Sequence, residues 1–159
     1  MSQVNLGWPE SRYQIRMADA QPILVRDKET DLSPRKSLIC VIDDDFDVLR
    51  SLRFLLETEG FDVRTFRSGS ALLGSRFRED ADCLVIDYKM AGIDGIELTH
   101  RLRDLGIGTP IILITGYPDE NIRAKANSAG VQEVLQKPLL DDSLVASVRN
   151  AINPGHAAN

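Results

Sequence analysis

From Ser37 to Ile152 the chain alternates short runs of β-branched and other apolar residues with stretches whose apolar positions recur every three to four residues. No other feature limits the possible folds as much. The runs predict strands at Leu38–Ile42, Phe61–Phe66, Cys83–Ile86, Ile111–Thr115 and Val131–Gln136. Between the first two, Val48, Leu49, Leu52, Leu55 and Leu56 mark one face of a helix, with Gly60 where a C-terminal cap belongs. Further helices are predicted over Ser68–Phe77, Gly95–Leu105, Asp119–Ala129 and Asp141–Ile152, the first of these shorter and weaker than the rest.

Five β/α units of this length imply a parallel sheet covered by helices on both faces. Right-handed crossovers with five strands favour a flavodoxin-like (βα)5 α/β fold, strand order 2-1-3-4-5. Residues 1–36 show no sustained period and read as a flexible N-terminal extension; 37–153 form the domain and 154–159 a tail. Hydrophobic residues make up 43% of the chain, enough for a proper core. A net charge of −5 argues against nucleic acid or an acidic membrane as partner. No apolar run approaches the roughly 18 residues of a spanning helix. Cys40 and Cys83 each lie inside an apolar run, so they read as buried free thiols in a reducing cytosol. His100 and His156 lack metal-ligand spacing, and His100 reads as a surface residue on a helix.

In open parallel sheets, ligands bind beyond the carboxyl ends of the strands, at the point where strand order reverses. Those ends carry Asp43, Asp44 and Asp45 after the first strand, Asp87 after the third, Thr115 at the end of the fourth, and Lys137 with Pro138 after the fifth. Each has a plain explanation. An aspartate there often caps the next helix, threonine is common in strands, and a lysine before proline usually sits in a solvated loop. All of them on one edge is a different matter. Crowded carboxylates resist ionising together and need a cation. Oxygen donors without His or Cys suit a hard ion, Mg²⁺ or Mn²⁺. Such an ion accepts phosphate oxygens, Lys137 offers a positive charge to another, and the Thr115 hydroxyl can donate to a third. One carboxylate is then left as a nucleophile toward phosphorus.

These residues resemble the receiver domain of two-component response regulators, over about 37–153. "VIDDD" is similar to the family's acidic pair, so the resemblance implies Asp43 and Asp44 as the pair and Asp45 as a less constrained third. "LVIDYKMAGIDGIEL" resembles the phosphoacceptor segment and implies Asp87 as acceptor. It also implies that Asp44, Asp87 and the Lys89 backbone carbonyl bind Mg²⁺ directly, with Asp43 acting through water. "ILITGY" carries the switch threonine, Thr115, followed by the small Gly116, and "LQKPL" carries the phosphate-contacting Lys137, whose bond to Pro138 is expected to be cis.

Two positions depart from the family pattern. Ala91 stands where proline is usual, which implies a looser loop, and Val134 stands where the family has its switch aromatic. The partners implied are a histidine kinase or histidine phosphotransfer protein and a downstream protein target, in the cytoplasm, without DNA or membrane. Few residues follow Lys137, so the chain reads as a stand-alone receiver that catalyses only its own phosphorylation and dephosphorylation. The rival is a small Mg²⁺-dependent phosphatase of haloacid-dehalogenase type. It shares the aspartate, threonine and lysine, but Phe46 and the short chain fit it poorly. A flavodoxin-like FMN binder is disfavoured because three aspartates would repel its phosphate. A receiver degraded to a docking module would be expected to lack Asp87 or Lys137.

Overall fold

The computed structural model describes residues 13–18, 21–26, 35–139 and 142–156, and the chain divides into two units, Met1–Arg35 and Lys36–Asn159. In the first unit β1 (Tyr13–Ala18) pairs antiparallel with β2 (Gln21–Arg26), from Tyr13 opposite Arg26 to Ala18 opposite Gln21. The reading of 1–36 as a flexible extension did not include this hairpin. Tyr13, Ile15 and Met17 alternate with Gln14 and Arg16, a period of two too short to stand out beside the longer pattern downstream. Two intervening residues are also the usual hairpin length. The remainder of the supposed flexible extension, 1–12, 19–20 and 27–34, lies outside the described residues, as do 157–159 of the tail.

The second unit holds a five-stranded parallel sheet built from β3 (Leu38–Ile42), β4 (Asp62–Phe66), β5 (Cys83–Asp87), β6 (Ile111–Thr115) and β7 (Glu133–Gln136). Its order, β4-β3-β5-β6-β7, is the 2-1-3-4-5 arrangement expected for a flavodoxin-like fold. The three central strands are buried at every position. Their pleat sends alternate residues to opposite faces. Ile39, Val41, Val85 and Ile114 pack with Leu49 and Leu56 of α1 (Phe46–Thr58) and with Leu144 and Val148 of α6 (Ser143–Ile152). Ile42, Ile86 and Leu113 pack on the other face with Leu98 and Leu102 of α4 (Gly95–Asp104) and Ala126 of α5 (Glu120–Ala129). A 3₁₀ turn, Pro154–His156, follows α6.

The weak second helix was expected to be continuous, and it is not. It divides into α2 (Gly69–Leu73) and a single turn, α3 (Phe77–Asp80). Gly74 ends α2, the Ser75 hydroxyl accepts from the Phe77 N–H to start the next turn, and the Arg78 guanidinium donates to the Leu73 carbonyl at 2.6 Å. The chain is thereby bent between the two pieces. The last helix begins at Ser143, and Asp141, its expected first residue, lies outside the described residues. The fifth strand shortens at its start, because Gly130 takes a left-handed conformation (φ 93°) and Val131 still bonds back to the Ala126 carbonyl of α5.

Cys40 and Cys83 are free and buried, as expected. They lie on neighbouring strands but belong to the cores on opposite faces of the sheet. Burial pushes each thiol up to about 12, so both stay protonated and unreactive at neutral pH.

Candidate phosphoryl and metal site

The three consecutive aspartates divide into separate roles as soon as the strand ends. The Asp43 N–H still bonds to the Phe66 carbonyl at the end of β4, which keeps its side chain at the sheet edge and buried. Its Oδ1 accepts from the Asp45 N–H at 2.9 Å. Asp44 is exposed, and its Oδ2 accepts from the Ala91 N–H at 3.1 Å. Asp45 turns toward α1 and caps it, accepting from the N–H groups of Asp47 and Val48. The less constrained third aspartate is thus the helix cap.

Asp87 ends β5, the neighbour of β3 in the sheet, and is buried. One carboxylate oxygen from each of Asp43, Asp44 and Asp87 falls within a group whose members all lie within 4.8 Å of one another. Lys137, just beyond β7, reaches back across the sheet edge. Its Nζ lies 3.2 Å from Asp43 Oδ2 and 3.2 Å from Asp87 Oδ1. The lysine backbone is held by its N–H to the Thr115 carbonyl at 2.9 Å, and the Lys137–Pro138 bond is cis, as expected. Thr115 ends β6, one residue beyond Ile114, the register partner of Asp87. Its hydroxyl accepts from the Tyr117 N–H at 3.3 Å.

The electrostatics follow from this crowding. Burial, then the charges of Asp43 and Asp44, push the Asp87 carboxyl up to about 6, against the opposing pull of Lys137. Burial by itself would lower the Lys137 pKa; the adjacent Asp43 and Asp87 carboxylates outweigh it and raise it. The ammonium is therefore fully charged at neutral pH and neutralises one of the two buried carboxylates. The remaining negative charge in the group suits a divalent cation, and its oxygen-only donors suit a hard one.

Lys89 lies two residues after Asp87 with its side chain exposed, in a loop anchored by the buried Met90. The Tyr88 N–H bonds to the Ile114 carbonyl, and the Gly95 N–H to the Tyr88 carbonyl, both at 2.8 Å. The substitution of proline by Ala91 implied a looser loop. Here the Ala91 N–H, which a proline lacks, ties that loop to Asp44. Sequence reasoning missed Gly95, taking it only as a helix start. A Cβ there would stand 2.7 Å from the Asp87 carbonyl oxygen and 2.6 Å from Leu113 Cδ1, so only glycine lets α4 pack this closely behind Asp87. The available signal was a glycine immediately after an N-capping aspartate, Asp94. Val134 packs, half-buried, against a core cluster, as do Tyr88 and Ile122, while Tyr117 is 87% exposed.

A carboxylate group for a hard cation, a lysine across two of its members and a threonine at the next strand end define an edge built for phosphoryl chemistry. Residues 39–149 match the model of the response regulator receiver domain, and the chain belongs to that family. Members act in two-component signalling, and phosphoaspartate and Mg²⁺ are characteristic of them. Similar proteins include the transcriptional regulatory protein FixJ of Bradyrhizobium diazoefficiens, 37% identical over 77% of this chain and 60% of FixJ. Another is the response regulator protein TodT of Pseudomonas putida, 34% identical over 76% of this chain and 53% of TodT. The chain thus spans little more than half the length of these relatives. Among solved structures, the response regulator TrrA of Thermotoga maritima, crystallised with Mg²⁺ and BeF, superposes with a TM-score of 0.65 at 28% identity, over 72% of this chain and 98% of that one. The haloacid-dehalogenase alternative finds no support in these matches. The expected absence of DNA as a partner gains none either, since one relative is named a transcriptional regulator. Among the described residues no helix is long and apolar enough to cross a membrane.

Proposed function

We propose that residues 37–153 form a receiver in which Asp87 accepts a phosphoryl group from a phosphohistidine. The observation that carries this reading is Lys137, placed 3.2 Å from both Asp87 and Asp43. It offers a fixed positive charge beside the acceptor to an incoming phosphoryl oxygen. An Asp87 oxygen attacks phosphorus, an O–P bond forms as the N–P bond breaks, and the departing imidazole takes up a proton. The Thr115 hydroxyl, at the end of the neighbouring strand, donates to a second phosphoryl oxygen. Asp44, Asp87 and the Lys89 carbonyl would hold Mg²⁺ (or Mn²⁺), with Asp43 acting through water. Bound there, the ion neutralises charge building on the transferred group. The donor is a cytoplasmic histidine kinase or histidine phosphotransfer protein. The protein turns over no separate substrate; it catalyses its own phosphorylation and dephosphorylation.

Incubation with Mg²⁺ and a phosphohistidine donor should yield a single alkali-labile adduct, absent from Asp87→Asn and from chelated protein. Stoichiometric labelling of Asp87→Asn would refute the assignment.

Val134 favours a role as phosphoryl carrier or sink over a conventional surface switch. A short side chain, stiff about χ1 and packed against the core, has no large surface to expose or hide when Thr115 moves. The output is then onward phosphotransfer or a protein contact near the site itself.

A further inference from the structure

We propose that the backbone N–H of Ala91 is a positioning donor that orients the Asp44 carboxylate for a divalent cation; the inference rests on the metal site proposed above. The three clustered carboxylates are held by different means. Asp43 is fixed at both oxygens, by the Asp45 N–H and by Lys137. Asp87 is buried and paired with Lys137. Asp44 is exposed and takes part in no ion pair among the described residues. What holds its carboxylate is the Ala91 N–H, at 3.1 Å from Oδ2. That donor sits on a loop the fold immobilises: Met90 is buried beside it, and the 2.8 Å bonds from Tyr88 to Ile114 and from Gly95 to Tyr88 close the loop on either side.

A carboxylate has two oxygens. With Oδ2 engaged by the N–H, rotation about the side-chain bonds is arrested and the other oxygen is left for the ion. Donors that orient a metal ligand from behind in this way typically contribute tenfold or more to metal affinity. The device depends on residue 91 having an N–H. Glycine keeps it, and proline removes it while leaving every carboxylate in place.

The test is titration of the full chain with Mg²⁺ alone, followed by amide NMR, for wild type, Ala91→Gly and Ala91→Pro. Wild type and Ala91→Gly should bind alike, and Ala91→Pro about tenfold more weakly. In wild type the Ala91 amide proton should resonate downfield and stay there at Mg²⁺ saturation, and Asp44→Ala should abolish that shift. Equal or tighter binding by Ala91→Pro overturns the proposal. So does an upfield move of the Ala91 amide on adding Mg²⁺, because the ion would then compete with the N–H for Asp44. The amide signal decides the matter in wild type even if Ala91→Pro does not fold. Absence of any Mg²⁺ binding by wild type would remove the metal site itself and this inference with it, whereas normal wild-type binding with an indifferent Ala91→Pro removes the inference alone.

Discussion

The nucleophile role proposed for Asp87 needs an ionised carboxylate, and burial beside Asp43 opposes ionisation. Its carboxyl, raised to about 6 when folded, carries a stability signature in metal-free protein. Below about pH 4 it is protonated folded or unfolded, and costs nothing. As pH rises toward 6 the unfolded chain ionises first, so stability is lost progressively; above 6 the loss levels off. Asp87→Asn should therefore raise the melting midpoint of chelated protein at pH 7–8, with the gain shrinking as pH falls from 6 to 4. Thermal melts across that range check it, and a pH-independent gain would contradict the mechanism. Asp44 is exposed, so its removal should relieve much less repulsion. Lys137→Met has the opposite sign. It leaves two buried carboxylates without their cation and should cost about 3 kcal/mol without metal, the low end for a broken buried pair because Lys137 keeps some exposure. Millimolar Mg²⁺ should restore part of that loss, measurable by denaturant titration.

The elements matter by what they bring behind the site. α4 begins with a glycine because its first turn lies against the Asp87 carbonyl. Gly95→Ala forces a methyl onto backbone and Leu113, and overpacking of this kind costs about 1–3 kcal/mol. Because the clash is with Asp87, the residue proposed as acceptor, phosphorylation should slow as well. Denaturant unfolding and initial phosphorylation rates should fall together. Asp94, Asp119 and Asp45 each cap the helix that follows, so the bland reading of aspartates after strands was correct for Asp45 in the very run that supplies the site.

At the scale of the molecule, two consequences separate the receiver from what surrounds it. The unit Lys36–Asn159 carries its own core and every proposed site residue. A chain trimmed to residue 35 should accept phosphoryl groups at an undiminished rate, measured with a phosphohistidine donor; loss of labelling would assign the β1–β2 hairpin a part in the site or the donor contact. The second consequence concerns signal spread. With the short Val134 packed half-buried against the core, a beryllofluoride mimic of the phosphoryl group should shift amides around Asp87, the 89–94 loop and Thr115, and fade before α6. Large shifts across α5 and α6, or dimerisation on adding the mimic, would point to a surface switch instead.

The alternation of apolar runs with helical periods was enough to determine the sheet, its order and the edge on which to look, because parallel strands joined by crossovers admit few arrangements. It also determined which aspartates, threonine and lysine lie at that edge, since strand ends are set by the same pattern. The hairpin and the break after Leu73 were hidden, because short elements hold too few residues to display a period. Other features were decided only by the folded chain. Asp45 caps while Asp43 and Asp44 face the site because the backbone leaves β3 with Asp43 still bonded to β4. Lys137 reaches two carboxylates far away in sequence because sheet order sets strand ends side by side. Ala91 holds Asp44 through a backbone N–H, a group that every non-proline residue carries and that no residue type reveals. Hydrophobic periodicity is a local property and can be read along a chain, whereas the partner of a given donor is a distance, and distances between remote residues exist only once the chain has folded.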